Sequence, residues 1–354
     1  MSVRQIISKQ RISPAGIQCG PGGYRCIQID HARGGSIRVA KEVRTDATGG
    51  IDPSECRHLV RALRGRRCVV APPSHELIVR PARMPRLSGE EFREAARWEA
   101  ADMLSCDASE VVAEPLVVSS RADEEGRYDV LIVAARIDAI DRALEPLLRA
   151  GLRPIAVEPG FLGAGRAYCL RTRRRDDEQV ARAVLEIGQE CSNLVVMSAD
   201  RAVFAKTIEI GGAALDTSVS ERMGIDVATA CAVRRDAVNG RLDTNLARPL
   251  RDAVRRSAEE LANEFAMSMR YVAVAARIGT VQVMHVCGEE AQTPGIAEAI
   301  QDACPGIPLQ GEVSTDSRLT EAVAMAGGTP GAWAAAFGLA LRPGKKPLAG
   351  RVAA

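Results

Sequence analysis

The groups in this chain with most chemistry to offer are backbone amides at glycine turns. Residues 183–215 read AVLEIGQECSNLVVMSADRAVFAKTIEIGGAAL. Gly188 and Gln189 stand between two apolar, β-rich runs at 185–187 and 194–197, and Gly211-Gly212 follows a third strand at 203–210. A glycine turn between strands can leave N–H groups free to meet an anion. The double glycine can bring a second backbone segment close to the same ligand. Read alone, the stretch fits a phosphate loop or a plain β-meander. A second unit of the same build, GIQCGPGGYRCIQI over 16–29, carries Gly20 and Gly22 in its turn. Two such units point to two halves of similar build.

Other chemistry is poorly supported. The ten cysteines include no C-x-x-C pair, and the four histidines form no spaced ligand set. That argues against structural zinc and for a reducing compartment. Cys68 and Cys287 sit in apolar runs, where a buried free thiol is expected. His285 reads as a core residue, and Cys106 has no neighbouring histidine. No residue is assigned a catalytic role.

A chain of 354 residues exceeds one ordinary core, so two lobes are expected. With 46% hydrophobic but only 3% aromatic residues, its core must rest on Val, Ile, Leu and Ala. Forty-seven basic against 45 acidic residues, net +2, argue against a nucleic-acid partner. The opening residues are charged and lack an apolar stretch, so no signal peptide is expected. The uncharged run 322–341 is broken by Gly327, Gly328, Pro330 and Gly331. It reads as a buried turn and core helix, not a membrane span.

The elements that must position the glycine turns follow in order. A strand over 36–44, a helix over 53–63 and a short strand over 68–70 continue the first lobe. Residues 76–158 then read strand–helix–strand–strand–helix–strand, a compact α/β module. Its first helix opens with Ser88 and Glu91, a capping box, and puts Phe92, Ala95, Ala96 and Met103 on one face. Trp98 is expected in the module's core or its groove, the core being favoured. Its strands at 111–118 and 128–135 are joined by the charged turn RADEEGR. Its second helix, 138–150, ends at Gly151. A helix at 161–170 and a charged loop, RTRRRDDE over 171–178, lead to the second lobe. There helices are expected at 213–223, 227–238, 249–278 and 294–303, with a buried strand at 281–287.

Several of these stretches resemble the PilM-type actin-like proteins of type IV pilus assembly and type II secretion. The resemblance rests mainly on RMPRLSGEEFREAARWEAADML and VLIVAARIDAIDRALEPLLRAGLRPIAVEP. Arg80, Pro85, Trp98, Glu99, Ala134, Ala135, Gly151, Leu152 and Pro154 carry it, and GAWAAAFGLALRP matches the family's last helix. It implies an α/β, bilobal actin-like ATPase fold with an inserted small α/β subdomain. Lobe one would take 14–75, 159–179 and 331–343, the module 76–158, and lobe two 180–330. It also implies a cytoplasmic protein held at the inner membrane through a partner. That partner is a PilN-like membrane protein, whose N-terminal tail peptide binds in a groove beside the module. No direct membrane insertion is expected, and homo-oligomerisation is left open.

The same resemblance implies an ATP site with magnesium, but with departures that weaken it. The family's Gly-Ile-Asp-Ile-Gly is Gly16-Ile17-Gln18-Cys19-Gly20 here, so Gln18 removes a carboxylate that would hold the ion through water. The following Lys is Arg25. In the second turn the expected Asp is Glu186, the candidate metal ligand, Gly188 is kept, and the Thr is Ser192. Gly211 and Gly212 are kept, but the next Thr is Asp216. The adenosine-side Ala-Glu-x-x-Lys is Ala230-Cys231-Ala232-Val233-Arg234, and the nucleotide-side Gly-Gly is Gly288-Glu289. Candidate nucleotide contacts are therefore Gly20, Gly22, Gly188, Ser192, Gly211, Gly212 and Gly288. Each lost charge-assisted contact is worth ~1.5–3 kcal/mol, which predicts a weak or absent site without useful hydrolysis. The glycines also fit a simpler role as turn residues kept for backbone geometry. Two other readings stand: an active ATPase or kinase using Glu186 and Asp216, and an FtsA-like division protein. The tail LRPGKKPLAGRVAA lacks the amphipathic membrane helix the latter would carry.

Overall fold

A computed structural model describes residues 12–33, 36–44, 53–85, 87–118, 126–169, 180–198, 201–275, 280–310, 317–326 and 328–342. The charged loop 171–178, most of the RADEEGR turn (121–127) and the tail from 343 lie outside them. Contacts divide the chain into two units, one of residues 1–167, 200–205 and 335–354, the other of 168–199 and 206–334.

The first unit is built on a five-stranded sheet of order β3-β2-β1-β4-β8. Strands β1 (Ala15–Gly20) and β2 (Gly23–Asp30) form a hairpin whose last pair is Gly20↔Gly23. β3 (Ser36–Arg44) and β4 (Arg67–Ala71) flank it, antiparallel to β2 and parallel to β1 respectively. Alternation sends Ala15, Ile17 and Cys19 to one face, where Cys56 and Leu59 of helix α1 (Pro53–Ala62) pack on them. Gly16 points the other way. A Cβ there would stand 2.1 Å from the Ala336 carbonyl oxygen, so helix α10 (Ala334–Ala340) lies directly on the β1 backbone. Within the uncharged run 322–341, residues 322–326 end a helix that begins at Ser317, and Pro330–Trp333 form a 3-10 turn leading into the buried core helix, where Ala and Gly permit the close backbone approach.

The module expected over 76–158 has its six elements, but they divide. Strands β5 (Leu77–Pro85), β6 (Val111–Val117) and β7 (Arg127–Arg136) make a three-stranded antiparallel sheet of order β5-β7-β6. Pro81, Pro85 and Pro115 fall on its two edge strands, where a missing N–H is tolerated. Helix α2 (Gly89–Leu104) covers one face, started by the expected capping box of Ser88 and Glu91. The last two elements return to the five-stranded sheet. Helix α3 (Ile137–Arg149) buries Ala143 and Leu147 in the first core, and β8 (Arg153–Val157) pairs in parallel with β4. The sequence order does not reveal this return, because one strand–helix–strand pattern serves either sheet. Helix α4 (Gly160–Cys169) follows.

Two expectations about α2 are corrected. Its core face is Ala96, Ala100 and Ala101, with Phe92 and Ala95 partly buried beside them, and Met103 is outside that cluster. Trp98 is not in the core: it is 60% exposed. Two residues beyond Ala96 is about 200° around a helix, which turns Trp98 away from the sheet.

A four-stranded sheet, of the second unit apart from residues 201–205, has the order β11-β10-β9-β12. β9 (Ala181–Ile187) and β10 (Ser192–Ser198) are antiparallel, β11 (Arg201–Ile208) follows, and β12 (Val281–Cys287) runs parallel to β9. The helices are α5 (Gly212–Met223), α6 (Val227–Val238), α7 (Thr244–Ala275), α8 (Ile296–Ala303) and α9 (Ser317–Ala326). Helix α7 begins five residues before the expected Pro249. Asp243 initiates it, accepting from the Asn245 amide at 2.9 Å on its side chain and from the Leu246 amide at 2.9 Å on its carbonyl. Leu250, Val254, Leu261 and Phe265 form its buried stripe. Among the described residues, no helix is long and apolar enough to cross a membrane.

Candidate functional site

In the second unit, the β9–β10 turn and the start of α5 are in direct backbone contact. The Gly188 amide donates to the Cys191 carbonyl at 3.1 Å and closes the turn. The turn's own carbonyls then take the first amides of α5: Gly212 N–H donates to Gly188 O at 2.9 Å, and Ala213 N–H to Gln189 O at 2.8 Å. A Cβ on Gly211 would stand 2.7 Å from both of those carbonyl oxygens. The double glycine does bring a second backbone segment close, and it is seated on the turn itself.

The remaining candidates of this unit surround that junction. The Ser192 hydroxyl is fully buried and donates to the Ile210 carbonyl at 2.6 Å. Gly288 has φ +100°, and a Cβ there would meet the Ile187 carbonyl oxygen at 2.2 Å; its amide donates to Gly331 O at 3.1 Å. Glu186 is buried and sits opposite Cys287 in the β9–β12 register. Burial, with the Glu186 charge behind it, holds the Cys287 thiol well above its usual range and pushes Cys191 up to about 11. Among the described residues no group of His, Cys, Asp and Glu is arranged to hold a metal ion. His285 is buried as expected, its ring stacked on Tyr168 with centroids 4.5 Å apart.

Next to the junction lies a buried ion network centred on Arg234 of α6. Its Nε donates to Asp216 Oδ1 at 2.8 Å, its Nη2 to Gly212 O at 3.1 Å, and its Nη1 to Glu290 Oε2 and, at 3.1 Å, to Thr293 Oγ1. Gln189 Nε2 donates to the other oxygen of Asp216 at 3.0 Å. Arg234 is 0% exposed and Asp216 2%. Burial alone would lower the guanidinium pKa; the Glu290 charge and the hydrogen bonds to Asp216 and Glu290 outweigh it and raise the value. Sequence reasoning singled out Asp216 and Arg234 separately and missed Glu290, Thr293 and the Gln189 side chain. A buried Arg between two acids leaves no local spacing signal when its partners come from two other segments.

In the first unit, Gly20 ends β1 opposite Gly23, and Gly22 sits in the turn between them. Gly22 is exposed, a Cβ there would meet nothing within 4 Å, and it has no positive φ. The glycine that the hairpin requires is Gly23, at φ +125° and with its Cβ position 2.0 Å from the Val43 carbonyl oxygen. Arg25, aligned with the family's Lys, donates from Nη2 to Glu42 Oε1 at 2.9 Å.

A third feature is the outer face of α2. Trp98 is exposed there, with the exposed carboxylates of Glu94 and Asp102 one turn before and after it.

The family model described as type IV pilus assembly protein PilM matches residues 56–343. Among solved structures, the chain is similar to one described as a PilM-PilN type IV pilus biogenesis complex. The identity is 23% and the TM-score 0.73, covering 94% of this chain and 99% of that one. It is also similar to ethanolamine utilization protein EutJ from Carboxydothermus hydrogenoformans, at 14% identity and TM-score 0.53, covering 94% of this chain and 90% of that one. The fold is the α/β actin-like ATPase fold. With the match spanning most of its length, this chain belongs to the PilM family of type IV pilus assembly proteins.

Proposed function

We propose that this protein is an actin-like scaffold of a type IV pilus inner-membrane complex. It captures the N-terminal cytoplasmic tail of a PilN-like membrane protein and works without useful ATP hydrolysis. The observation that carries this reading is the likeness, over nearly the full length of both chains, to a chain of a PilM-PilN complex. The protein is then cytoplasmic and peripheral to the inner membrane through that partner.

The outer face of α2 supplies recognition chemistry suited to such a tail. A short cytoplasmic segment before a membrane span is enriched in Lys and Arg. An exposed indole flanked by Glu94 and Asp102 receives such a cation over the ring, with carboxylates on either side. The donors that a nucleotide would draw on are engaged inside the chain. The first amides of α5 and the Ser192 hydroxyl are hydrogen-bonded within the chain, and Gln18 stands where the family carries an acid. On this reading ATP and magnesium bind weakly or not at all, and Glu186 alone does not make a magnesium site.

The chain has two tryptophans, Trp98 exposed and Trp333 buried. Titrating a PilN-type tail peptide while following indole emission tests the reading. Saturable change in the wild type and none in Trp98→Phe is expected; no binding of the peptide by either protein overturns it.

A further inference from the structure

Four stretches that the family resemblance assigns to nucleotide contact are tied into one hydrogen-bond network around a single side chain. They are the turn at Gly188-Gln189, the start of α5 from Gly211 to Asp216, Arg234 of α6, and the turn from Gly288 to Thr293. The Arg234 guanidinium hydrogen-bonds to the α5 stretch at Gly212 and Asp216 and to the last turn at Glu290 and Thr293. The Gly188-Gln189 turn is joined to the same cluster by Gln189, whose amide donates to Asp216. A planar guanidinium can bond in several fixed directions at once, as a point charge cannot.

The geometry points to Arg234 as an internal substitute for a ligand, a built-in clasp that holds these segments together without nucleotide. The charge balance fits this role. One buried guanidinium lies between two buried carboxylates, so the cluster presents excess negative charge next to the glycine turn and repels a polyphosphate. The Gly212 and Ala213 amides, the groups an anion would need at this helix start, are held by the turn's carbonyls. The second unit is therefore fixed in one arrangement whether nucleotide is present or absent. This goes beyond the tail-binding proposal and does not depend on it.

Native-state hydrogen exchange on the full chain tests the clasp. In Arg234→Met the amides of Gly212, Ala213, Glu290 and Thr293 are expected to exchange about a hundredfold or more faster, together, with first-unit amides unchanged. Arg234→Lys keeps the charge but not the fork, and covers the case where the Met variant does not fold. It is expected to show the same set of amides accelerated. Adding magnesium and ATP to the wild type is expected to leave these rates unchanged. Unchanged protection in Arg234→Lys, or slowing of the wild-type amides by nucleotide, overturns the inference; neither result bears on tail capture, which the indole titration reads separately.

Discussion

Arg234 Nε donates to Asp216 Oδ1 at 2.8 Å, and neither side chain is more than 2% exposed. An ion pair this deep owes its stability to completeness. Glu290, Thr293, the Gly212 carbonyl and Gln189 satisfy what the pair leaves open. Removing one member therefore strands the others in a medium that solvates them poorly.

Asp216→Ala is expected to cost about 3–5 kcal/mol of unfolding free energy, the range for breaking a buried pair from one side. Urea denaturation checks this. A loss under about 1 kcal/mol, the scale of an exposed pair, would mean that the network is solvated in solution.

Gly288→Ala and Gly22→Ala should part company. The first forces a Cβ onto the Ile187 carbonyl oxygen at 2.2 Å in a positive-φ conformation, and should cost well over ~1 kcal/mol. The second puts a methyl group into open space at an exposed turn, within about ±0.5 kcal/mol of wild type. Melting both variants beside the wild type measures the difference.

Glu158 ties the end of the first unit together. It is 3% exposed and pairs with Arg166 and, at 3.1 Å, with Arg342, while Arg166 also donates to the Gly338 carbonyl at 2.7 Å. Glu158→Gln removes the charge from both pairs and is expected to destabilise the protein by about 1.5–3 kcal/mol. Limited proteolysis should then cut earlier near the C-terminal end of α10.

Alkaline pH should weaken the fold through its thiols. Burial pushes Cys191 up to about 11 and Cys68 up to about 12, and raises Cys19 and Cys26 further. The unfolded chain releases these protons near ~8.5, so the folded state then binds more protons than the unfolded one. The stabilisation is complete below that pH and is lost as pH rises toward the folded values, at about 1.4 kcal/mol per pH unit for each thiol. Unfolding free energies measured from pH 8 to 10.5 should fall, and Cys191→Ala should shallow the slope. A flat profile would contradict the burial assigned to these groups.

Much of the architecture was legible because periodicity and punctuation agreed. The strand–glycine–strand units at 16–29 and 183–198 fold as hairpins, and Ser88 with Glu91 marks the start of α2. What stayed hidden was set by partners distant in the chain. The return of α3 and β8 to the five-stranded sheet depends on pairing with β4, which no local pattern encodes. The rotation of Trp98 away from the core was available from its offset of about 200° to Ala96, but its aromatic character outweighed it. At the candidate site, the glycine positions were readable as turns. Their reason was not, since a Cβ at Gly211 or Gly288 would meet the carbonyls of Gly188, Gln189 and Ile187, which no local pattern encodes. The Arg234 cluster was invisible as a unit, because Asp216, Arg234 and Glu290 reach it from separate segments.

The most direct test of the account is titration calorimetry of a PilN-type tail peptide into the full chain, with and without magnesium and ATP. Saturable peptide binding of equal affinity in both conditions, and no heat from nucleotide alone, is the expected result. Tight nucleotide binding, or peptide binding that appears only once nucleotide is present, would contradict it.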